Sequence, residues 1–288
     1  MDTTYAIFMS ICILNPAFQN VGMGFQKWAV DKVPIQTTRA GKWKWIGVWI
    51  IGLLFQAVVV ALTSYAMTIG NASTLGGFAG LGLVFIALFS YFVIKEEVLP
   101  KEIFGMALIV IGTMALGYYS HGAQSPDVNM AHDRLVMFFA GYFVCVGIGL
   151  ALLFKNLHSY GGAILGIIGG SMNGLGVIFN KVFMNTATAL FHSGDGIGTI
   201  LVKMLMNGWT YVMIIGGVGG MIVIQFGYKY GKAVQVVPGH AVMVVVVPVF
   251  ASVILIGESV PVIGIPAVLL ITIGTLITTL AAPGKHAH

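Results

Sequence analysis

Residues 45–65 read WIGVWIIGLLFQAVVVALTSY, a stretch without a single charged side chain. A helix needs about 20 consecutive apolar residues to cross the hydrocarbon core of a bilayer, so this stretch predicts a transmembrane helix. Over the 288 residues, 58% are hydrophobic, only 8% are charged, and the mean hydropathy is +0.97. Soluble domains carry about 25% charged residues. The composition therefore excludes a soluble enzyme and predicts that lipid surrounds most of the chain.

The whole chain divides into stretches of this kind, which predicts an all-α polytopic membrane protein with about nine transmembrane helices. The nine spans are residues 5–25, 45–65, 74–94, 103–119, 135–154, 161–183, 205–228, 236–256 and 262–282. The gap at 185–203 contains His192, Asp195 and several glycines. We expect an external loop or a re-entrant segment there, with a tenth span as the alternative.

The distribution of Lys and Arg among the loops predicts the orientation of the chain. With nine spans, 11 of the 14 basic residues fall on the side of the C-terminus and 3 on the side of the N-terminus. Cytoplasmic loops carry the excess of basic residues in membrane proteins. We therefore expect a bacterial or archaeal cytoplasmic (inner) membrane, with the N-terminus outside and the C-terminus in the cytoplasm.

A weak internal repeat relates the two parts of the chain. Glu97 and Pro100 follow span three with the spacing that Glu258 and Pro261 show after span eight, 161 residues later. The triplet FQK at 25–27 resembles FNK at 179–181 in the same way. Spans one to four thus recur as spans six to nine around span five, and the odd offset inverts their direction, as in many secondary transporters. The expected boundaries are 1–120 for the first repeat, 121–159 for linker and span five, and 160–288 for the second repeat.

Polar side chains inside the spans are the candidate substrate-binding residues, because such groups are costly in lipid unless they pair or face a cavity. They are Asn15, Gln19 and Asn20 in span one, Gln56 in span two, Asn173 and Asn180 in span six, Gln225 in span seven and His240 in span eight. Hydrogen bonds between helices are the alternative role for the amides. For His240 the alternatives are proton coupling and a structural hydrogen bond.

Charged residues at the ends of the spans have simpler expected roles. We expect Lys27 and Lys181 to extend to the membrane interface, and Glu97 and Glu258 to cap turns or pair with lysines. The sequence contains no discernible nucleophile–His–acid arrangement and no Cys/His cluster. Catalytic residues and cofactors are therefore not expected, and metal ligands cannot be assigned.

Short motifs resemble the drug/metabolite transporter superfamily. They are residues 80–85, the Lys95-Glu96-Glu97 turn, and the glycines of span four from 105 to 113. Residues 20–27, 64–66, 225–233 and 237–238 further resemble the NIPA-like magnesium transporters. That resemblance implies an acidic residue within span two, near Val58, but this span has no Asp or Glu. Because Mg²⁺ prefers hard oxygen ligands, usually carboxylates, we expect a neutral or weakly charged substrate rather than bare Mg²⁺.

Two functions from different classes follow from these features. The first is a secondary transporter that carries a cation or small metabolite by alternating access. The second is a non-transporting subunit of a larger membrane complex, and a membrane enzyme is a distant third. The expected partners are the lipid bilayer, a small-molecule or ion substrate, and a further copy or another membrane subunit, but no nucleic acid.

Overall fold

A computed structural model describes residues 3–36, 38–69, 78–119, 132–251, 254–255 and 264–281. All regular secondary structure in these ranges is helical, which confirms the predicted all-α class. The helices are α1 (Thr3–Lys32), α2 (Arg39–Ile69), α3 (Gly82–Ile94), α4 (Pro100–Tyr119), α5 (His132–His192), α6 (Ile197–Met206), α7 (Gly208–Tyr230), α8 (Ala233–Ala251) and α9 (Ile265–Leu280). Five helical segments of the described part are long and apolar enough to cross a membrane, and shorter apolar helices accompany them.

The long helix α5 contains predicted spans five and six, and it folds back on itself. The hydroxyls of Tyr142 and Ser171 lie 3.2 Å apart, although 29 residues of straight helix would separate them by about 43 Å. The rings of Phe139 and Phe179 also stack, with centroids 5.9 Å apart. The chain therefore reverses between a first arm, 133–155, and a second arm, 159–192, so the two spans are antiparallel neighbours.

The segment 185–203 consists of helical stretches on both sides of a short turn at 193–196, so the expectation of a loop was wrong, whereas a re-entrant segment and a tenth span stay predictions. The second arm of α5 continues to His192, and α6 follows after a short turn in which Gly194 has a φ of +77°. The glycines of this segment favoured a loop. Its apolar residues nevertheless recur at helical spacing, and Ile200 is buried while Leu201 is exposed. An ion pair of 2.7 Å between Lys203 and Asp195 ties α6 to the turn before it.

The helix crossings occur in matched pairs, as the repeat predicts. In the first crossing, a Cβ on Gly52 of α2 would lie 2.5 Å from the carbonyl oxygen of Gly22 on α1. In the second, a Cβ on Gly216 of α7 would lie 2.7 Å from the backbone nitrogen of Gly176 on α5. Gly22 and Gly176 are the glycines that precede the two matching triplets. The packing of α1 on α2 thus resembles that of the second arm on α7, and both crossings need glycine because the backbones touch.

The apolar cores differ between the two ends of the bundle. We call residues 3–119 the first half, residues 159–281 the second half, and the end of the bundle at which Lys27 lies the Lys27 end. One core joins both halves and includes Met23, Leu83, Tyr228 and Val237. A second core contains only first-half residues, around Phe8 and Cys12. A third contains residues of α5, α7 and α8, around Phe179 and Val247.

The separate cores lie away from the Lys27 end. Phe8 is about 28 Å from Lys27 along α1, at 1.5 Å per residue. The second arm passes the Lys27 end at Gly162, which packs on Gly231, and Phe179 lies about 25 Å further along. The shared apolar core reaches from the Lys27 end to Ala267 and Ile271 of α9, which pack on Gly112 of α4. The residues around Phe8 and those around Phe179 form separate cores at the opposite end.

Candidate functional site

The candidate amides of α1 and α2 form local hydrogen bonds in the middle of the first half. Asn15 is buried, and its Nδ2 donates to Thr63 Oγ1 at 2.7 Å. Asn20 is also buried, and its Nδ2 donates to the carbonyl oxygen of Pro16 at 3.0 Å. The Asn20 amide lies directly against Gly82 of α3, where any side chain would overlap it. These contacts join α1 to α2 and allow α3 to approach closely.

Gln19 and Gln56 lie at the same crossing. Both side chains are half-buried, and Gln56 Nε2 donates to the main-chain oxygen of Gln19 at 3.1 Å. The contact therefore uses the backbone rather than the side chain of Gln19. It adds a second hydrogen bond between α1 and α2, about one turn from the Asn15 bond.

Asn173 and His240 meet in the second half, where they connect three helices. The Asn173 amide lies 2.9 Å from Nε2 of His240, which is fully buried on α8. With its oxygen accepting from this Nε2–H, its nitrogen donates to the carbonyl oxygens of Gly216 at 3.1 Å and Gly217 at 2.8 Å. Those carbonyls belong to a π-helical turn, Ile215–Gly219, within α7. Wide turns of this kind are frequent at functional sites.

The other two candidates lie apart from these groups. Asn180 is exposed on the second arm of α5. Gln225 lies at the Lys27 end, where its Oε1 accepts from Trp49 Nε1 and its Nε2 donates to Gln26 Oε1, each at 2.9 Å. The eight candidates are thus divided among four places and do not form one hydrogen-bonded group. That they line a common cavity remains a prediction.

A buried ionic cluster at the Lys27 end was missed by the sequence argument. Only 1% of the Lys27 side chain is exposed, so the expectation that it extends to the interface was wrong. Its Nζ donates to Asp31 Oδ1 at 2.7 Å and to the carbonyl oxygen of Tyr228 at 2.8 Å, and lies 3.8 Å from Glu96 Oε1. A buried ion costs several kcal/mol unless it is paired and hydrogen-bonded. These contacts provide that compensation.

The backbone at the end of α3 explains why Glu96 points inward. The last turn of α3, Ser90–Ile94, is π-helical, and Lys95 follows it in the left-handed conformation with a φ of 65°. The backbone N–H of Glu96 then donates to the carbonyl oxygen of Ser90 at 2.9 Å. As a result Glu96 is buried, whereas Lys95 and Glu97 on either side of it are exposed. The KEE run in the sequence marks this turn but does not reveal which carboxylate is buried.

Glu97 and Glu258 are the acidic residues of the two repeat turns. The carbonyl oxygen of Glu97 accepts from Lys232 Nζ at 2.9 Å, so its main chain makes the contact. Glu258 lies outside the described residues. Among the described residues, no group of three or more His, Cys, Asp or Glu side chains is arranged to hold a metal ion.

Comparisons with known proteins agree with this architecture. The model of the EamA-like transporter family matches residues 5–118. A curated relative is the probable 4-amino-4-deoxy-L-arabinose-phosphoundecaprenol flippase subunit ArnE of Pseudomonas savastanoi pv. phaseolicola (strain 1448A / Race 6). It is 30% identical over 119 residues, which cover 40% of this chain and 96% of the relative. No solved structure matches the chain.

Proposed function

The chain belongs to the EamA-like transporter family, and from this premise we propose that it carries a small polar solute across the membrane by alternating access. The two halves would rock against each other about the shared core and expose the substrate to one side at a time. The observation that carries this proposal is the contrast between the two ends. The halves share one apolar core at the Lys27 end and have separate cores at the opposite end.

The length of the relative favours a self-contained transporter over a non-transporting subunit. Nearly the whole relative aligns with 119 residues, less than half of this chain. More than half of this chain lies outside that alignment, which leaves room for a second set of helices, and the crossing of Gly22 with Gly52 has a counterpart at Gly176 and Gly216. We therefore propose two units in one chain, with boundaries at 1–120, 121–159 and 160–288. A subunit role is the alternative, since the name of the relative describes a subunit.

The proposed substrate is neutral or weakly charged. Within the described spans, the polar groups away from the Lys27 end include the amides of Asn15, Asn20 and Asn173 and the imidazole of His240. A few placed hydrogen-bonding groups in apolar surroundings suit a neutral polar solute. A dehydrated divalent cation would gain too little from such ligands. The resemblance to NIPA-like magnesium transporters has no support from the comparisons, and we do not propose Mg²⁺ as the substrate.

Transport by the purified full-length chain tests the proposal. Liposomes would be loaded with unlabelled neutral amino acids or monosaccharides, and uptake of the same labelled solute by counterflow would be measured. We expect saturable uptake of at least one neutral solute and no entry of Mg²⁺, followed with an indicator dye. Entry of Mg²⁺ alone would refute the assignment of a neutral substrate. An absence of flux for every probe would favour the subunit role.

A second candidate substrate is a lipid-linked polar headgroup. The relative carries the name of a lipid-linked aminosugar flippase subunit. Neutral amides can form hydrogen bonds with the hydroxyls of a lipid-linked sugar as readily as with those of a free solute. The same liposomes can test it with a fluorescent polyprenyl-phosphate sugar whose outer-leaflet fraction is bleached by dithionite. Complete bleaching with the protein, against about half without it, would support this candidate, and identical bleaching would exclude it.

The proposed location is the cytoplasmic membrane of a bacterium or archaeon, with the Lys27 end facing the cytoplasm. Lys27 and Lys232 contact residues at this end, and the loops assigned to this side carry 11 of the 14 basic residues. A reporter enzyme fused at His288 would test the orientation. Activity restricted to the outside of the cell would contradict it.

A further inference from the structure

Hydrogen bonds between the two halves are concentrated at the Lys27 end. Five that involve a side chain are described: Lys27 Nζ to Tyr228 O, Gln225 Nε2 to Gln26 Oε1, Trp49 Nε1 to Gln225 Oε1, Lys232 Nζ to Glu97 O, and Ala233 N to Glu96 Oε2. Their lengths lie between 2.8 and 3.1 Å. All five contact the end of α7, the start of α8, or the turn between them. The polar contacts thus lie at the end where the halves also share an apolar core.

Two of these bonds match the electrostatics of the helix ends that they contact. Tyr228 lies in the last turn of α7, where carbonyl oxygens lack partners within the helix and carry the negative end of the helix dipole. Ala233 is the first residue of α8, where the backbone N–H groups form the positive end. The Lys27 cation binds the first group at 2.8 Å, and the Glu96 carboxylate binds the second at 3.1 Å.

From this geometry we infer that Lys27 and Glu96 form a gate. The charge pair of the first half binds the end of α7 and the start of α8 in the second half. This inference rests on the proposed transport function and extends it. The gate holds the transporter closed at the Lys27 end, and substrate leaves or enters there only when the α7–α8 turn is released. The structure is accordingly the state closed at the Lys27 end.

The arrangement of the partners makes this gate reversible. Asp31 and Glu96, the anionic neighbours of Lys27, both belong to the first half, on α1 and just after α3. When the halves separate, Lys27 loses the carbonyl of Tyr228 but keeps its carboxylates. No buried charge is left unpaired, so opening avoids the large penalty of breaking a buried ion pair. A salt bridge between the halves would have carried that penalty in every transport cycle.

Exchanging the two charges distinguishes a gate that binds helix ends from an ordinary ion pair between Lys27 and Glu96. In the triple variant Lys27→Glu/Asp31→Asn/Glu96→Lys, the two exchanged charges can still attract each other, and Asp31→Asn removes the carboxylate that would otherwise repel a glutamate at position 27. The dipoles of α7 and α8 do not reverse, however, so each exchanged charge faces a helix end of its own sign. An ion pair whose role is to join α1 to α3 would survive the exchange. A charge pair that grips two helix ends would not.

Distances between spin labels test the gate independently of any substrate. The labels would be placed on the full-length chain, in a background with both cysteines replaced, Cys12→Ala and Cys145→Ala. One pair, at Lys42 and Ser159, reports on the Lys27 end, and a second pair, at Tyr5 and Phe191, reports on the opposite end. These four side chains are exposed. Neither pair requires flux, so failure of the gate is distinguishable from failure of the proposed function.

Three variants decide the inference. In Lys27→Met and in the charge exchange, we expect the 42–159 pair to gain a population longer by about 5 Å, the scale of one helical turn. The control Lys203→Gln removes an ion pair within the second half, and its distances should equal those of the parent. An unchanged distance in Lys27→Met would refute the gate. A parental distance in the charge exchange would show that the pair acts only as an ion pair.

A neutral double variant covers the possibility that Lys27→Met fails to fold, because that change leaves Glu96 buried near Asp31 without a cation. Lys27→Met/Glu96→Gln removes both charges, and the Gln oxygen can still accept from the N–H of Ala233. We expect it to elute as a single species and to show the longer 42–159 distance in a smaller fraction than the charge exchange. If it folds and keeps only the short distance, the gate is refuted by this variant as well.

Discussion

Replacing Gly52 by alanine tests the backbone crossing of α1 and α2, and Gly47 on the same helix is the matched control. A Cβ at Gly52 would lie 2.5 Å from the carbonyl oxygen of Gly22 and 2.8 Å from Cγ of Gln26. A Cβ at Gly47 would meet nothing within 4 Å. The two substitutions therefore share the change in helix propensity and differ in the steric clash.

The two effects have opposite signs. Alanine is favoured over glycine within a helix by about 1 kcal/mol, so Gly47→Ala should stabilise the protein by roughly that amount. At Gly52 the contact with the carbonyl oxygen is about 1 Å shorter than ordinary van der Waals separation, and overpacking of this kind costs about 1–3 kcal/mol. Gly52→Ala should therefore be less stable than Gly47→Ala by about 1–3 kcal/mol.

Reversible unfolding in mixed detergent micelles, followed by far-UV circular dichroism, measures the difference. The single variants would be compared in the same detergent at several SDS fractions. Equal stabilities for Gly52→Ala and Gly47→Ala would show that the helices separate at little cost, and the description of a glycine-dependent crossing would then be wrong. Gly216→Ala changes the matched crossing of the second half. Its free energy of unfolding should be close to that of Gly52→Ala rather than to that of the control Gly47→Ala.

Three further outcomes are expected. Asn173→Ala should lower the free energy of unfolding by about 1–3 kcal/mol, because it removes the hydrogen bonds to His240 and to the π-helical turn of α7. Each such bond is worth about 0.6–1.7 kcal/mol. A free energy of unfolding equal to that of the parent would contradict this. The hydrogen bonds from Lys203 and Ser193 hold the pKa of Asp195 below its ordinary value, so the charged form favours folding above the unfolded pKa and this contribution is lost as the pH falls through the folded pKa. Lys203→Gln should raise the pKa of Asp195 in an NMR titration, and an unchanged pKa would show that the ion pair does not form in solution. Lys181→Gln should reduce transport while leaving the 42–159 distance short, in contrast to Lys27→Met, and a longer distance would contradict the assignment of Lys181 to the opposite end.

The class and helical architecture of the fold were predictable from the sequence, because apolar stretches of membrane-spanning length dominate it. The expectation of a loop at 185–203 was wrong, since the glycines of that segment outweighed a short amphipathic pattern. The reversal of α5 followed from the number of spans. The helical backbone nevertheless continues through the reversal, and the signals nearest to it are Ser159 and the pair Gly161-Gly162, residues of the kind at which helices kink.

The candidate site was only partly predictable, because the cost of a polar group in lipid does not reveal its partner. Asn173 and His240 were selected as polar residues in apolar spans, yet their contact joins positions 67 residues apart. Lys27 was assigned to the interface because it lies near a helix end. Its burial depends on Glu96, which the left-handed residue Lys95 turns inward. Neither backbone conformations of this kind nor partners on other helices can be read from a single sequence.

The inverted repeat gives Lys27 a counterpart in the second half but gives none to Glu96, because the match of Glu97 with Glu258 places Gly257 at the corresponding position. Lys181 occupies the position of Lys27 in the second copy of the triplet, and the repeat places it toward the opposite end of the bundle. Its side chain lies outside the described part of the structure. When two equivalent halves are inverted, residues that close one end in one state have equivalents that close the other end in the alternate state. We therefore expect Lys181 to contribute to closure of the opposite end in the alternate state without a carboxylate equivalent to Glu96, and Lys181→Gln tests this contribution.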